Sequence, residues 1–242
     1  MKKIAIILAG GVGNRTGQDI PKQFLNVDDK PIIIYTLEAF QNNPSIDEIE
    51  VVCKEGWHDI LRAYAKQFNI NKLKYVITGG ESSQESIKLG LFNLEDKIEK
   101  NDIVIIHDGV RPLVDEEVLS DVVATCEKYG NAVTSLPYNE QIFVVDKNDS
   151  SITNKYVPRD SLRRVSTPQA YQFGEIDDAY HYAYDNNIGI GESTYANTLM
   201  VDLGKTLHFA AGSDKNIKIT TRDDIEIFKA YVKADKDNNW LK

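Results

Sequence analysis

The stretch Ile4-Ala5-Ile6-Ile7-Leu8-Ala9-Gly10-Gly11-Val12-Gly13-Asn14-Arg15-Thr16-Gly17, running on to Pro21-Lys22-Gln23, decides the fold. Its opening apolar run is short enough for one strand buried on both faces, as in a parallel sheet. Glycines follow at once, and without a Cβ they let the backbone turn sharply and approach a ligand closely. A glycine-rich turn at the carboxyl end of a first strand is where open α/β sheets bind phosphates. Arg15 and Lys22 place two cations just beyond the bare backbone. The expected ligand is a nucleoside triphosphate, held and activated by the same loop.

Outward from this turn, strand and helix patterns alternate. Apolar runs at 49–53, 73–77, 102–106 and 132–136 read as further strands, with apolar residues at helical spacing between them. Pro31 is expected at the first position of a helix running to Phe40, where its missing N–H costs nothing. Trp57, Ile60, Leu61, Tyr64 and Phe68 form a stripe at helical spacing that faces the core. Ser82 or Ser83 caps the next helix and Asp115 the one after. Five such alternations predict an α/β fold with a parallel sheet and right-handed crossovers.

The rhythm breaks after Leu136. Apolar runs at 142–145 and 152–157 bracket a polar turn, which predicts a β-hairpin. A two-stranded ribbon is marginal alone, so this arm, at about 138–160, is expected to pack on the body or on a second subunit. Helical patterns return at 175–184 and 195–200, followed by a late strand at 207–211 and an extended piece at 217–219. Thr221 caps a last helix, with Asp223 and Asp224 in its first turn. One domain over 1–242 with a protruding arm is the expected organisation.

Composition narrows the function. A net charge of −9 supplies no broad positive field, which excludes a general nucleic-acid or anionic-membrane binder. Nothing approaches the roughly 20 apolar residues of a membrane span or the pattern of a secretory signal, so a cytoplasmic protein is expected. Cys53 and Cys126 read as buried, reduced thiols, and no zinc-ligand spacing occurs.

Each motif has a plain structural reading beside the chemical one. A dinucleotide fingerprint is disfavoured, because the second strand ends Val51-Val52-Cys53-Lys54 without the acid that binds a ribose. No Gly-Lys-Ser/Thr exists for a Walker loop. His107-Asp108-Gly109-Val110-Arg111-Pro112 falls at a strand's carboxyl end, on the same sheet edge as the glycine turn. There Asp108 can bind Mg²⁺ carried by a triphosphate or orient a substrate, and Arg111 can take a phosphate in a fork geometry; a surface ion pair is the plain alternative. Alternation sets Lys218 opposite Ile217 and Ile219, either solvated or at the same edge. Arg159, Arg163 and Arg164 near Thr167-Pro168-Gln169 are a solvated strand face or a phosphate site.

Together these segments resemble a family. Leu8 to Arg15, Pro21-Lys22-Gln23-Phe24-Leu25, Gly79-Gly80 with Ser86, the segment from His107 to Pro112, Thr167-Pro168-Gln169 and Asn216-Ile217-Lys218-Ile219-Thr220 occur in order. They resemble the cytidylyltransferases that act on methylerythritol phosphate and on ribitol phosphate, over essentially the whole chain. The resemblance implies a Rossmann-like nucleotidyltransferase that uses CTP and Mg²⁺, acts on a small polyol phosphate and dimerises through the arm. It aligns Leu8, Ala9, Gly10, Gly11 and Gly13 with the nucleotide, and Gly80 and Ser86 with the cytosine and ribose. Arg15, Lys22 and Lys218 match catalytic cations. Asp108 matches a metal and substrate position, Arg111 and Thr167 match substrate positions, and Arg159 matches an arginine that reaches the partner subunit's substrate.

Three segments depart from the family pattern: Ser83 where arginine is usual, Glu140-Gln141 where Asp-Thr is usual, and Gly191-Glu192-Ser193-Thr194. They concern the acceptor and base more than the reaction. The 21–34 segment and the Trp57 region look closer to the ribitol-phosphate branch, so a pentitol phosphate serving teichoic acid or capsule synthesis is expected. Methylerythritol phosphate is the alternative. A non-catalytic nucleotide-binding scaffold is disfavoured, because it needs none of Arg15, Lys22, Asp108 and Lys218.

Overall fold

A computed structural model of the chain describes residues 1–11, 20–191 and 195–238. Gly13 and Arg15 of the glycine loop, with Glu192 of the third departing segment, lie outside the described residues.

Seven strands form the central sheet: β1 (Lys3–Ala9), β4 (Glu48–Cys53), β5 (Leu73–Thr78), β6 (Ile103–Asp108), β7 (Asn131–Pro137), β10 (Arg163–Gln172) and β11 (Phe209–Ala211). Their order is β11-β7-β10-β6-β1-β4-β5. β1 lies between β4 and β6, parallel to both, with Leu8 opposite Val52 on one side and Asp108 on the other. The mostly parallel sheet is therefore as the alternation predicts. Side chains along β1 divide between two cores. Ala5, Ile7 and Ala9 join one, with α1 (Ile32–Asn42), α2 (His58–Gln67) and α4 (Glu116–Tyr129). Ile4 and Ile6 join the other, with α3 (Ser83–Leu94), α5 (Phe173–Asn186) and α6 (Ala196–Asp202). Burial on both faces explains why these strands read as continuous apolar runs.

Sequence reading placed no sheet strand at β10, offering only a solvated strand face around Arg163 and Arg164. β10 enters between β6 and β7 antiparallel to both, with a register shift between Val165 and Gln169. Only Ala170 and Tyr171 in its second half are buried apolar residues, so its pattern carries little periodicity. Its insertion brings Thr167 beside Asp108. One further difference is local. Pro31 precedes α1 in extended conformation (ψ 141°) instead of opening it, as the last residue of a small ribbon of β2 (Asn26–Val27) and β3 (Lys30–Pro31). The 217–219 piece lies outside the sheet and is tied to the body by Ile219 N–H to the Val110 carbonyl (2.9 Å).

The stripe on α2 acts as expected except for Ile60, which is exposed. Trp57 stacks on Phe24 with ring centroids 4.5 Å apart, which anchors the turn Lys22–Phe24 against the body. Both cysteines are buried free thiols. The hairpin forms as β8 (Ile142–Val145) with β9 (Thr153–Val157), hydrogen-bonded only to each other. The last helix, α7 (Arg222–Asn238), packs Phe228 against Ile219 and Val110. Among the described residues no helix is long and apolar enough to cross a membrane.

Candidate active site

At the carboxyl edge of the parallel strands a cleft of about 410 Å³ opens. Leu8, Ala9, Gly10 and Gly11 form its floor, Gly80 and Ser86 one wall, and Lys22, Asp108 and Lys218 the polar side opposite the bare backbone. Three of the sequence-predicted cationic and acidic groups therefore meet over the glycine turn, although 110 residues separate Asp108 from Lys218.

The floor is built by close backbone contact. Gly10 and Gly79 pack so tightly that a Cβ on Gly79 would stand 3.2 Å from Gly10 Cα and 3.1 Å from Ser86 Oγ. The Ser86 hydroxyl accepts a hydrogen bond from Gly80 N–H (3.1 Å) and so ties the Gly79-Gly80 turn to α3. Ser82, not Ser83, is the cap of that helix, accepting from Glu85 N–H at 3.0 Å. Ser83 itself lines the cleft. Gln23 holds the other side of the floor: its buried amide donates to the carbonyls of Ala9 (2.7 Å) and Gly11 (3.1 Å). A neutral amide can satisfy two such carbonyls at once because it carries two N–H bonds.

Asp108, at the end of β6, is the electrostatic centre. Its Oδ1 accepts from Lys218 Nζ at 3.1 Å and its Oδ2 from Arg111 Nε at 2.9 Å. Thr167 Oγ1 accepts the Asp108 backbone N–H at 3.1 Å. Burial alone would raise the Asp108 carboxyl pKa, but the charges of Lys218 and Arg111 outweigh it and hold the group below the usual carboxylate range. The aspartate is therefore ionised whenever the protein is near neutral pH.

Arg111 is largely committed to holding other residues. Besides Asp108 it donates from Nη1 to the Asn216 carbonyl at 2.8 Å, and the Asn216 amide donates to the Thr167 carbonyl at 2.7 Å. This chain of bonds fixes the segment that carries Lys218. Neither Arg111 nor Thr167 is among the residues lining the cleft; both support Asp108 and Lys218 from beside it. His107, next in the motif, is fully buried, and burial pushes its imidazole down to about 4. It contacts the Arg111 carbonyl through Nε2 at 3.1 Å and is a neutral structural group.

Arg159 is not brought to this cleft. It sits in a short turn, Arg159–Ser161, and lines a separate groove of about 490 Å³ on the arm with Phe143 and Tyr156. Arg163 lies over the Phe209 ring and Arg164 pairs with Asp214, so neither forms a phosphate site in the cleft. Among the residues that escaped sequence reading as site members are Gln23, Asn216 and Lys54. The first two flank catalytic candidates inside quoted motifs, which is a signal of position but not of role. Lys54 lines the cleft because its N–H bonds the Ala9 carbonyl at 3.1 Å, a cross-strand fact with no local pattern.

A mostly parallel sheet whose carboxyl edge opens on a cation-lined, glycine-floored cleft puts the chain in the class of nucleotide-binding α/β proteins. The chain belongs to the 2-C-methyl-D-erythritol 4-phosphate cytidylyltransferase (IspD) family, whose model matches residues 3–234, and is thus a nucleotidyltransferase. A ribitol-5-phosphate cytidylyltransferase of Lacticaseibacillus paracasei is 60% identical over 95% of this chain and 97% of its own. One from Vibrio parahaemolyticus is 39% identical over 95% of each. The solved 4-diphosphocytidyl-2C-methyl-D-erythritol synthase of Anaerococcus prevotii superposes with a TM-score of 0.81 over 96% of each chain at 24% identity, a likeness of fold alone.

Proposed function

We propose that this chain transfers the cytidylyl group of CTP to D-ribitol 5-phosphate, giving CDP-ribitol and pyrophosphate. The observation that carries the acceptor is the relative named for ribitol 5-phosphate at 60% identity over nearly the full length of both chains. The product would serve teichoic acid or capsule synthesis in the cytoplasm, and one catalytic domain spans 1–242.

In the reaction an oxygen of the ribitol phosphate attacks the α-phosphorus of CTP in line. A new P–O bond forms, the bond from the α-phosphorus to its bridging oxygen breaks, and pyrophosphate leaves with that electron pair. Both reactants are anions, so the barrier is lowered chiefly by fixed positive charge around the α-phosphate. Lys218 and Lys22 line the cleft in which that phosphate would lie, and Arg15 adds a third cation by family position. Asp108 orients Lys218 through the 3.1 Å bond to its Nζ. No general base is required, because a phosphate dianion is already deprotonated.

Asp108 also fits Mg²⁺, which is commonly bound by one or two carboxylates plus substrate phosphates. Its Oδ1 keeps a lone pair beyond the bond from Lys218, whereas Oδ2 accepts from both Arg111 and the Thr167 hydroxyl (3.4 Å), so Oδ1 is the oxygen open to an ion. Among the described residues the cleft gathers no set of three potential metal ligands, so the triphosphate would supply most of the coordination. When bound, the ion would neutralise charge on the triphosphate and its leaving group.

The arm supports a homodimer. Phe143 and Tyr156 are 55% and 67% exposed on a ribbon bonded only to itself, and a second subunit would cover them. Arg159 would then reach the partner's acceptor phosphate. Pyrophosphate release from CTP with ribitol 5-phosphate, other pentitol phosphates and methylerythritol phosphate tests the reading. Turnover with ribitol 5-phosphate at least ~10-fold above the rest is expected, and preference for methylerythritol phosphate would overturn it. Arg159→Ala should raise the acceptor KM with CTP affinity nearly unchanged, and sedimentation should show a dimer.

A further inference from the structure

Away from the cleft, the C-terminal end of α3 and the middle of α5 bring Glu95, Asp177 and His181 together, one ligand atom of each within 4.8 Å of the others. His181 Nε2 is 2.9 Å from Glu95 Oε1 and 3.9 Å from Asp177 Oδ1. Asp177 and His181 are one turn apart, so they share a helix face. The decisive feature is Asp177. The residue is only 8% exposed, and its Oδ1, the atom turned toward His181, takes part in no hydrogen bond. A buried carboxylate oxygen left in that state is costly. The His181 ring is meanwhile stacked on Phe92, with centroids 4.2 Å apart and planes 12° from parallel. Stacking fixes the ring plane and keeps Nε2 directed at the two carboxylates.

We propose that Glu95, Asp177 and His181 form a site for a divalent transition-metal ion, Zn²⁺ foremost, which bridges α3 and α5. Ligand atoms around a tetrahedral Zn²⁺ stand about 3.4 Å apart, given bonds of roughly 2.0–2.2 Å. The observed separations of 2.9 and 3.9 Å bracket that value, so small side-chain rotations suffice. One imidazole nitrogen with two carboxylate oxygens suits Zn²⁺ better than Mg²⁺, which demands octahedral oxygen ligands. Three protein ligands leave a fourth position for water, on the side where His181 and Glu95 are exposed. The bridge has a structural reach: the first turns of α3 carry Ser83 and Ser86 into the nucleotide cleft, and Tyr180 of α5 already donates to Gln84 there at 3.1 Å. Occupancy would stiffen the cleft wall without touching the reacting groups.

The test is calorimetric titration of the full chain with Zn²⁺ alone, repeated with Mg²⁺, together with visible spectra of the Co²⁺-substituted protein. Saturable Zn²⁺ binding, tetrahedral Co²⁺ bands and a rise in Tm with Zn²⁺ are expected, with Mg²⁺ producing none of them. His181→Gln, at a half-exposed position, and Asp177→Asn should each weaken Zn²⁺ binding at least ~10-fold and abolish the Tm rise. Asp108→Asn in the cleft should leave that rise in place. No saturable Zn²⁺ binding by the unaltered chain, binding indifferent to His181→Gln, or a Tm rise lost in Asp108→Asn would each overturn the proposal.

Discussion

The Nζ of Lys218 and the Oδ1 of Asp108 are 3.1 Å apart, joining the end of β6 to a loop 110 residues later, at the rim of the glycine-floored cleft. The pair is partly buried, with Lys218 the more open partner. A cation held in this way needs no reorganisation when charge develops on a phosphate beside it. Lys218→Met should therefore lower kcat by roughly 10²–10³, about 3–4 kcal/mol, comparable to removing one such donor. Circular dichroism should be unchanged. In a double-mutant cycle with Asp108→Asn the two losses should fall short of additive by about 1–3 kcal/mol, since both substitutions break one interaction. A loss below ~10-fold for Lys218→Met would remove this cation from the transition state.

Gln23 touches the floor of the cleft from below through the Ala9 and Gly11 carbonyls. Gln23→Ala removes a donor from both carbonyls, the Ala9 oxygen keeping its bond from Lys54 N–H, at a cost of about 1–3 kcal/mol in stability. It should also raise the KM for CTP several-fold while changing kcat less. Equal loss in kcat and kcat/KM would instead make Gln23 part of the chemistry.

Two glycines of the floor separate packing from ligand approach. At Gly79 a Cβ would meet Ser86 Oγ and Gly10 Cα, so Gly79→Ala should cost about 1–3 kcal/mol in urea unfolding. At Gly11 a Cβ would meet nothing within 4 Å. Gly11→Ala should therefore keep its Tm yet weaken CTP at least ~10-fold, because the bare backbone is used only when nucleotide approaches. Unchanged CTP affinity in a folded Gly11→Ala would show that the nucleotide lies elsewhere.

Stability should fall between pH 6.5 and 8, and one residue should account for it. Glu50 is fully buried on β4, and burial pushes its carboxyl up to about 8 despite a hydrogen bond from Asn93. Its contribution is fully present below the unfolded value near 4.5 and is lost as pH rises through about 8. His107, pushed down to about 4, has the opposite sign: its contribution is complete above 6.5 and is lost as pH falls toward 4. From pH 4.5 to 6.5 the two oppose each other; from 6.5 to 8 Glu50 dominates, since the buried Cys53 and Cys126 thiols, both pushed up from 9.0, enter only at higher pH. Urea unfolding should show a loss of about 2 kcal/mol from pH 6.5 to 8, absent in Glu50→Gln. The same slope in Glu50→Gln would assign it to other groups.

Much of the glycine-floored side of the cleft was legible in the sequence. The run Ile4 to Leu8 followed by glycines is a local signal, because a strand buried on both faces must be apolar throughout and a tight turn must lack Cβ atoms. Asp108 was legible for the same reason, standing at the end of another such strand. Arg159, expected to serve a partner subunit's substrate, lies on the arm away from its own chain's cleft; where it docks was not legible, because a hairpin's own residues say nothing about that. Arg111 was read as a phosphate fork or an ion pair with Asp108; it makes that pair and also bonds the Asn216 carbonyl, and this second partner, 105 residues away, leaves no mark on local pattern.

The sequence by itself determined the parallel strands, the glycine turn, the charged groups at the sheet edge and the hairpin, since each follows from periodicity or backbone freedom within a few residues. Only the tertiary structure decided the antiparallel entry of β10, which brings Thr167 to the Asp108 N–H, and the fastening of the Lys218 loop through Asn216. Both depend on hydrogen bonds between segments far apart in the chain. Such bonds form only when packing of the two cores brings the partners together, and no short window of residues encodes them.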